Sequence, residues 1–441
     1  MDRGFELNNG TSAPVDDASV LRLLQASKAA AAAGRGAESE QHLTQAAQSA
    51  PNHPAVLNEL GVRMLQRNEA GAAQQLFDRA TQADPGHPSL WSNLAASLHA
   101  LRRYDEEGEA IERALALNPR HLSSLLQKGT LLEVRGDPRN AARAFRNALA
   151  TVPPGMEAPP AVKTSLDYAR LAIRKDDELL AQAIEAQLAP LRARHNDASF
   201  RRVDKCIDLL TGKRARYFPE PTFTLFPEIP AIEFFERADF PWLDAIEAGT
   251  DEIRSELTRV LVSDREGLEP YIAYGDGVPL DQWAELNKSR RWSAYFLCNQ
   301  SRPQPAHLAL CPRTEELVGT APLCDVARRG PTTFFSILDP KTRIPPHSGV
   351  TNTRLTVHLP LIVPPDCGFR VGGETREWIP GKAWVFDDTI DHEAWNDSDT
   401  PRAILIFDIW NPFLTLAERD LVRAATEVVG TYYGAVPEGA L

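Results

Sequence analysis

Bulky and small apolar residues recur every 34 positions through the first third of the chain. Leu43, Phe77, Ile111 and Phe145 hold one place in the repeat, and Ala46, Ala80, Ala114 and Ala148 the place three residues later. Pro51, Pro85, Pro119 and Pro153 follow five residues after the alanines. Leu23, Leu57, Trp91 and Leu125 open the units, each followed four residues on by a small residue: Ser27, Gly61, Ala95 or Gly129. A fixed period of this length predicts stacked supersecondary units. The small residues let two antiparallel helices approach, the bulky ones fill the gap between pairs, and the proline, which lacks an N–H donor, ends the second helix.

This pattern resembles the tetratricopeptide repeat. Four units are expected over about 20–53, 54–87, 88–121 and 122–155, so that the array covers 20–155 behind a flexible N-terminus, 1–19. The resemblance implies a solenoid whose concave face holds a peptide or protein; the plainer alternative is a spacer or dimerisation arm with no ligand of its own. A proline-rich break, TVPPGMEAPP at 151–160, precedes helical periodicity over 165–191. The segment 156–217 is expected to cap the array and connect it to the second half of the chain.

From Phe218 the pattern changes. Helical stretches are expected at about 239–262 and 281–288. Then come β-branched and aromatic runs, TTFFSIL (332–338), RLTVHLPLIV (354–363), GFRVGG (368–373), KAWVFDD (382–388) and RAILIFDIW (402–410), bounded by turn residues. Short strands in succession without intervening helices predict a jelly-roll or barrel-like double sheet over 218–441, ended by a helix at 414–433.

The acidic balance changes this picture only by exclusion. A net charge of −12 without a basic block argues against nucleic acid as partner. The N-terminal MDRGFELNNGTSAPVDD has no apolar core, and no apolar run approaches the roughly 20 residues of a membrane helix, so a cytoplasmic protein without membrane contact is expected. Cys206, Cys298, Cys311, Cys324 and Cys367 form no CxxC pair and are expected to be buried free thiols.

The candidate chemistry lies between His347 and Arg402. His347 and His392 stand 45 residues apart at the edges of strand-like runs, and Arg402 comes ten residues after the second. Two imidazoles brought together by adjacent strands suit non-haem Fe(II); buried structural histidines are the alternative. The usual carboxylate two residues after the first histidine is replaced by Gly349, which taken alone counts against iron.

The segments HSGVTNTRLTVHLPL, FDDTIDHEAWN and PRAILIFDIWNP resemble the aspartyl/asparaginyl β-hydroxylase family over about residues 220–415. The resemblance implies a 2-oxoglutarate- and Fe(II)-dependent dioxygenase with a double-stranded β-helix. Glycine in place of the carboxylate ligand is a habit of that family. It implies His347 and His392 as catalytic metal ligands and Arg402 as the partner of the 2-oxoglutarate distal carboxylate. Trp292, Ser336, Thr356 and His358 would line the cosubstrate site, and Arg354 would face the substrate. The animal hydroxylases carry a second arginine at the place of Thr356. The implied activity is hydroxylation of an Asp or Asn residue in a peptide or protein held partly by the repeats. Two alternatives stay open: a hydroxylase of a free amino acid, peptide natural product or lipid acyl chain, and a scaffold with an inactive oxygenase domain.

Overall fold

The computed structural model describes residues 17–153, 155, 160–195 and 199–432. The expected flexible stretch 1–19 falls mostly outside these residues. The chain divides into two compact units, 1–213 and 214–441.

The first unit is a run of helical hairpins: α1 Asp17–Ala32, α2 Gly36–Ser49, α3 Pro54–Gln66, α4 Ala70–Ala83, α5 Pro88–Ala100, α6 Tyr104–Leu117, α7 Leu122–Val134 and α8 Pro138–Leu149. The 34-residue period has a direct steric cause. A Cβ on Gly61 would lie 2.5 Å from the Phe77 ring, and one on Gly129 2.3 Å from the Phe145 ring. Each of these hairpins therefore closes only because the position facing the ring carries no side chain. Ala46, Ala80, Ala114 and Ala148 are fully buried. Asn93 donates to Asn58 at 2.7 Å, and Ser92 to Gln127 at 2.9 Å, tying successive hairpins at matching positions. A long helix, α9 (Pro160–Arg192), places Leu166 and Ala169 in the cluster around Phe145, and α10 (Arg201–Leu210) comes after it.

Among the described residues the second unit is built on eleven strands: β1 Glu269–Pro270, β2 Trp292–Asn299, β3 Arg302–Pro303, β4 Thr333–Leu338, β5 Thr342–His347, β6 Arg354–Ile362, β7 Cys367–Val371, β8 Glu374–Arg376, β9 Trp384–Phe386, β10 His392–Asn396 and β11 Arg402–Trp410. Its helices are α11 Leu243–Ala248, α12 Thr250–Ser263, α13 Pro305–Leu310, α14 Pro312–Val318 and α15 Leu416–Tyr432. No described helix is long and apolar enough to cross a membrane.

The strands form two antiparallel sheets, one in the order β1-β2-β4-β11-β6-β9 with β3 beside β2, the other β5-β10-β7-β8. Both sheets are open. This corrects the expected double-stranded β-helix or jelly-roll: no named strand of one sheet pairs with a strand of the other, so neither closes. The run of strand signals was legible, but closure depends on which edges pair. Here the β9 edge is covered instead by an extended segment, through Phe235 N–H to Val385 O at 2.9 Å.

Alternation along the central strands sorts their two faces. Leu355, Val357, Leu359, Leu405, Phe407 and Ile409 pack in one core with α11, α12 and α14. Ile404 and Leu338, on the opposite face, share a second core with Ile344, Phe369, Val371 and Ala394 of the smaller sheet. Arg354, Thr356, His358, Arg402 and Asp408 have the same parity as Ile404 on their strands, so they look toward that smaller sheet. All five cysteines are free; Cys311, Cys324 and Cys367 are buried, Cys298 is half-buried, and Cys206, against expectation, is exposed.

Candidate functional site

His347 ends β5 and His392 opens β10, and the two residues are direct cross-strand partners. Their ring centroids lie 4.0 Å apart. β5 can hold Pro345 and Pro346 because it is the edge strand of its sheet and its ladder with β10 breaks register between His347 and Ile344, so neither proline is paired across the ladder. The His347 Nδ1 lies 2.8 Å from the Pro345 carbonyl oxygen, and the His392 Nδ1 lies 3.1 Å from that of Ile390. A carbonyl only accepts, so each Nδ1 carries the proton, and each neutral ring keeps its lone pair on Nε2. Burial, reinforced by the neighbouring His392, holds the His347 pKa well below the usual value; burial brings His392 down to about 4. Both rings are therefore neutral donors at neutral pH.

Gly349 makes room for Asp388. A Cβ on Gly349 would meet the Asp388 carboxylate at 2.3 to 2.5 Å, while the Gly349 N–H donates to the Asp388 backbone carbonyl at 2.7 Å. The volume that a side chain at 349 would fill thus already holds a carboxylate, one held by Thr356 and lying near Arg354. Among the described residues no group of three or more His, Cys, Asp or Glu is gathered as a metal cluster.

Arg402 opens β11 and is 1% exposed, yet no acid pairs with it among the described residues. Its Nη2 reaches Ser336 Oγ at 3.4 Å, its guanidinium lies 4.8 Å from the Trp378 ring centroid, and its Nε has no partner. Burial lowers its pKa to about 10. A buried, uncompensated guanidinium is costly and fits an anionic ligand. Trp292 Nε1 donates to the same Ser336 oxygen at 3.1 Å, and its ring lies 6.5 Å from that of His347. Trp292 and Ser336 thereby connect the imidazole pair with Arg402. His358 packs among Phe369, Phe386 and Trp378 with its Nδ1 unpartnered; burial and then Arg402 hold its pKa well below the usual value.

Arg354 stands apart from this group. Its Nη1 pairs with Asp408 Oδ2 at 2.8 Å, and its Nη2 lies 3.9 Å from Asp388. Thr356 faces Asp408 across the β6–β11 ladder. Three site neighbours escaped the sequence reading. Trp283 packs edge-on to His347 at 5.0 Å, Trp378 covers Arg402, and Asp408 neutralises Arg354. Period-two alternation in RAILIFDIW, which puts Asp408 on the face of Arg402, was the available signal for the last. No local pattern marks the two tryptophans.

Comparison with known proteins bears on this geometry. Residues 247–412 match the family model described as aspartyl/asparaginyl β-hydroxylase, and residues 30–98 match a tetratricopeptide repeat model. The chain is 36% identical over 182 residues to the aspartyl/asparaginyl β-hydroxylase of Homo sapiens, a match covering 41% of this chain and 24% of that protein. It is 34% identical over 181 residues to the ornithine lipid ester-linked acyl 2-hydroxylase of Rhizobium tropici, covering 40% of this chain and 60% of that one. Among solved structures, a crystal structure of MamA aligns with a TM-score of 0.27 and 20% identity, over 31% of this chain and 80% of that chain. The matches thus span from about a quarter to three-fifths of these two curated relatives' lengths. The chain carries an aspartyl/asparaginyl β-hydroxylase-like domain preceded by a tetratricopeptide region. That homology supports a dioxygenase-like enzyme class.

Proposed function

We propose that the second unit is a non-haem Fe(II) oxygenase that uses 2-oxoglutarate. His347 and His392 would be its two protein ligands to the metal, and Arg402 the anchor for the distal carboxylate of the cosubstrate. One observation carries this reading: a pair of neutral imidazoles 4.0 Å apart is linked through Trp292 and Ser336 to a buried arginine that has no acid partner among the described residues. The residues fit the group. Two nitrogen donors suit iron, and a guanidinium fork suits a carboxylate. Bound there, iron with 2-oxoglutarate and dioxygen would supply an oxidant that places one oxygen atom in a substrate C–H bond, with succinate and carbon dioxide as co-products.

The chain's own residues do the rest. The Pro345 and Ile390 carbonyls keep the histidine protons on Nδ1, so both Nε2 lone pairs stay available to a metal. Ser336 accepts from Trp292 and Arg402 and fixes the fork that meets the carboxylate. Asp388, filling the space beside Gly349, bars a further ligand from position 349, and its backbone carbonyl accepts from the Gly349 N–H. Phe369 and Phe386, packed around His358, keep water from the cosubstrate side.

The substrate we infer is an Asp or Asn side chain of a peptide or protein, presented in part by the helical hairpins. The family description and the tetratricopeptide match support this. A second reading, a smaller or acyl substrate, is favoured by Thr356 in place of a second arginine, by the engagement of Arg354 with Asp408, and by the acyl 2-hydroxylase relative. The test is mass spectrometry of candidate peptides, free amino acids and acyl conjugates incubated with Fe(II) and 2-oxoglutarate. A product heavier by about 16 Da, one oxygen atom, identifies the substrate. A chain lacking residues 1–213 should lose turnover of a polypeptide and keep that of a small molecule. No product from any class would refute the oxygenase reading.

A further inference from the structure

Beside Arg354, which stands at the opposite end of the β6–β11 pair from Arg402, lies a cavity of about 160 Å³ with an almost wholly apolar lining. Phe226, Val326 and Val350 line it together with Val422 and Val429 of α15. Two arginines stand among these apolar groups. Arg354 is neutralised by Asp408, although its buried Nε has no partner. Arg329 is different: no acid pairs with it among the described residues. Its guanidinium lies 4.2 Å from the Phe223 ring centroid, and its carbonyl oxygen accepts from Arg354 Nη1 at 3.2 Å. Half-buried Arg329 and exposed Phe223 form the rim.

We propose that this cavity is a binding subsite for a carboxylate with a short apolar tail, the tail filling the space under α15 and the carboxylate meeting Arg329. Size argues for the tail. An apolar cavity of roughly 150 Å³ holds one benzene ring, so this one takes a ring or a branched or linear chain of about five or six carbons. Charge argues for the head group, because Arg329 is the cation at the rim without a counter-charge, and a guanidinium fork matches a carboxylate. Placement gives the purpose. Val350 and Thr351 line the cavity and directly succeed Gly349, while the strand-like segment 222–224 on its other side binds the Gly349 and Val350 carbonyls. A ligand here would meet residues three and four places along the chain from His347. The inference rests on the oxygenase reading for its role as a substrate subsite, but its test reads binding alone and stands or falls separately.

Hexanoate and N-acetyl-leucine are the probes, representing a free acyl acid and a peptide C-terminus. Binding to the full chain is followed by calorimetry or ligand-observed NMR. Saturable binding is expected, with a gain of about fourfold per methylene from butyrate to hexanoate. Arg329→Gln should weaken hexanoate about tenfold and leave hexan-1-ol unchanged. Val422→Phe, or Val429→Trp as a second filling variant, should abolish binding of all of them while thermal melts show a folded chain. The tighter of the two carboxylates names the source of the ligand. No saturable binding of either at about 10 mM, some hundredfold weaker than a modest specific ligand, would overturn the proposal. Equal binding by wild type and by both kinds of variant would do the same.

Discussion

Gly349 and Asp388 occupy one another's space: a Cβ on the glycine would lie 2.3 Å from the aspartate Cγ. The Gly349 amide also donates to the Asp388 carbonyl, so neither backbone can retreat without breaking that bond. Gly349→Ala should therefore cost about 1–3 kcal/mol through overpacking. Because the clash lies two residues from His347, metal affinity should fall too. The double variant Gly349→Ala/Asp388→Ala, which removes the clashing carboxylate, should recover most of the stability. Thermal melts with and without Fe(II) read both effects. If Gly349→Ala is as stable as wild type, the crowding is not what fixes this turn.

Arg402 yields a prediction of opposite sign in the presence and absence of ligand. A buried guanidinium without an acid partner destabilises the empty protein, and replacement by an apolar side chain of similar volume is often stabilising by about 1–4 kcal/mol. Arg402→Met should raise the melting temperature of the ligand-free chain. Wild type should gain about 2.7 kcal/mol when 2-oxoglutarate is present at a hundredfold over its Kd, and the variant should gain almost nothing. A variant that melts lower than wild type without ligand, yet responds equally to it, would show that Arg402 is a structural cation.

Asp387 links stability to pH. Burial, the largest cause, raises its carboxyl to about 6 from the ordinary 3.8, although Thr389 donates to it from N at 3.0 Å and from Oγ at 2.5 Å. The folded state then holds a proton that the unfolded state has lost between about pH 4 and pH 6. Stability from this group should fall as pH rises through that window and stay level above it, by at most about 3 kcal/mol. Asp387→Asn should flatten this limb of the pH–stability curve measured by urea unfolding. A slope that persists unchanged in the variant would place the titration elsewhere.

How far the sequence exposed these features depends on the range of the interactions behind them. The 34-residue period was legible because its cause is local: Phe77 and Phe145 each need a facing residue without a side chain, and Gly61 and Gly129 supply it. Strand runs such as RLTVHLPLIV were legible from alternation. Whether their sheets close was not, since edge pairing is decided by residues far apart in the chain. β2, β5 and β10, which carry Trp292, His347 and His392, were not among the strand runs named, although the two histidines were placed at strand edges. Prolines 345 and 346 disguise β5, and its place at an edge together with the break in its ladder to β10 explains why they are tolerated. For the candidate site, the segments between His347 and Arg402 pointed to a family, but not to the contact between Gly349 and Asp388 or to the covering of Arg402 by Trp378. Both arise only when separate strands are brought face to face.

The central claim is that His347 and His392 hold the iron of a 2-oxoglutarate-dependent oxygenase. Succinate release from 2-oxoglutarate, measured with Fe(II) and dioxygen for wild type and for His347→Ala, tests it most directly. Turnover by wild type is expected, with a loss of at least a hundredfold in the variant, a barrier increase of about 2.7 kcal/mol. Absence of succinate from wild type with every candidate substrate, or equal release by the two proteins, would contradict it.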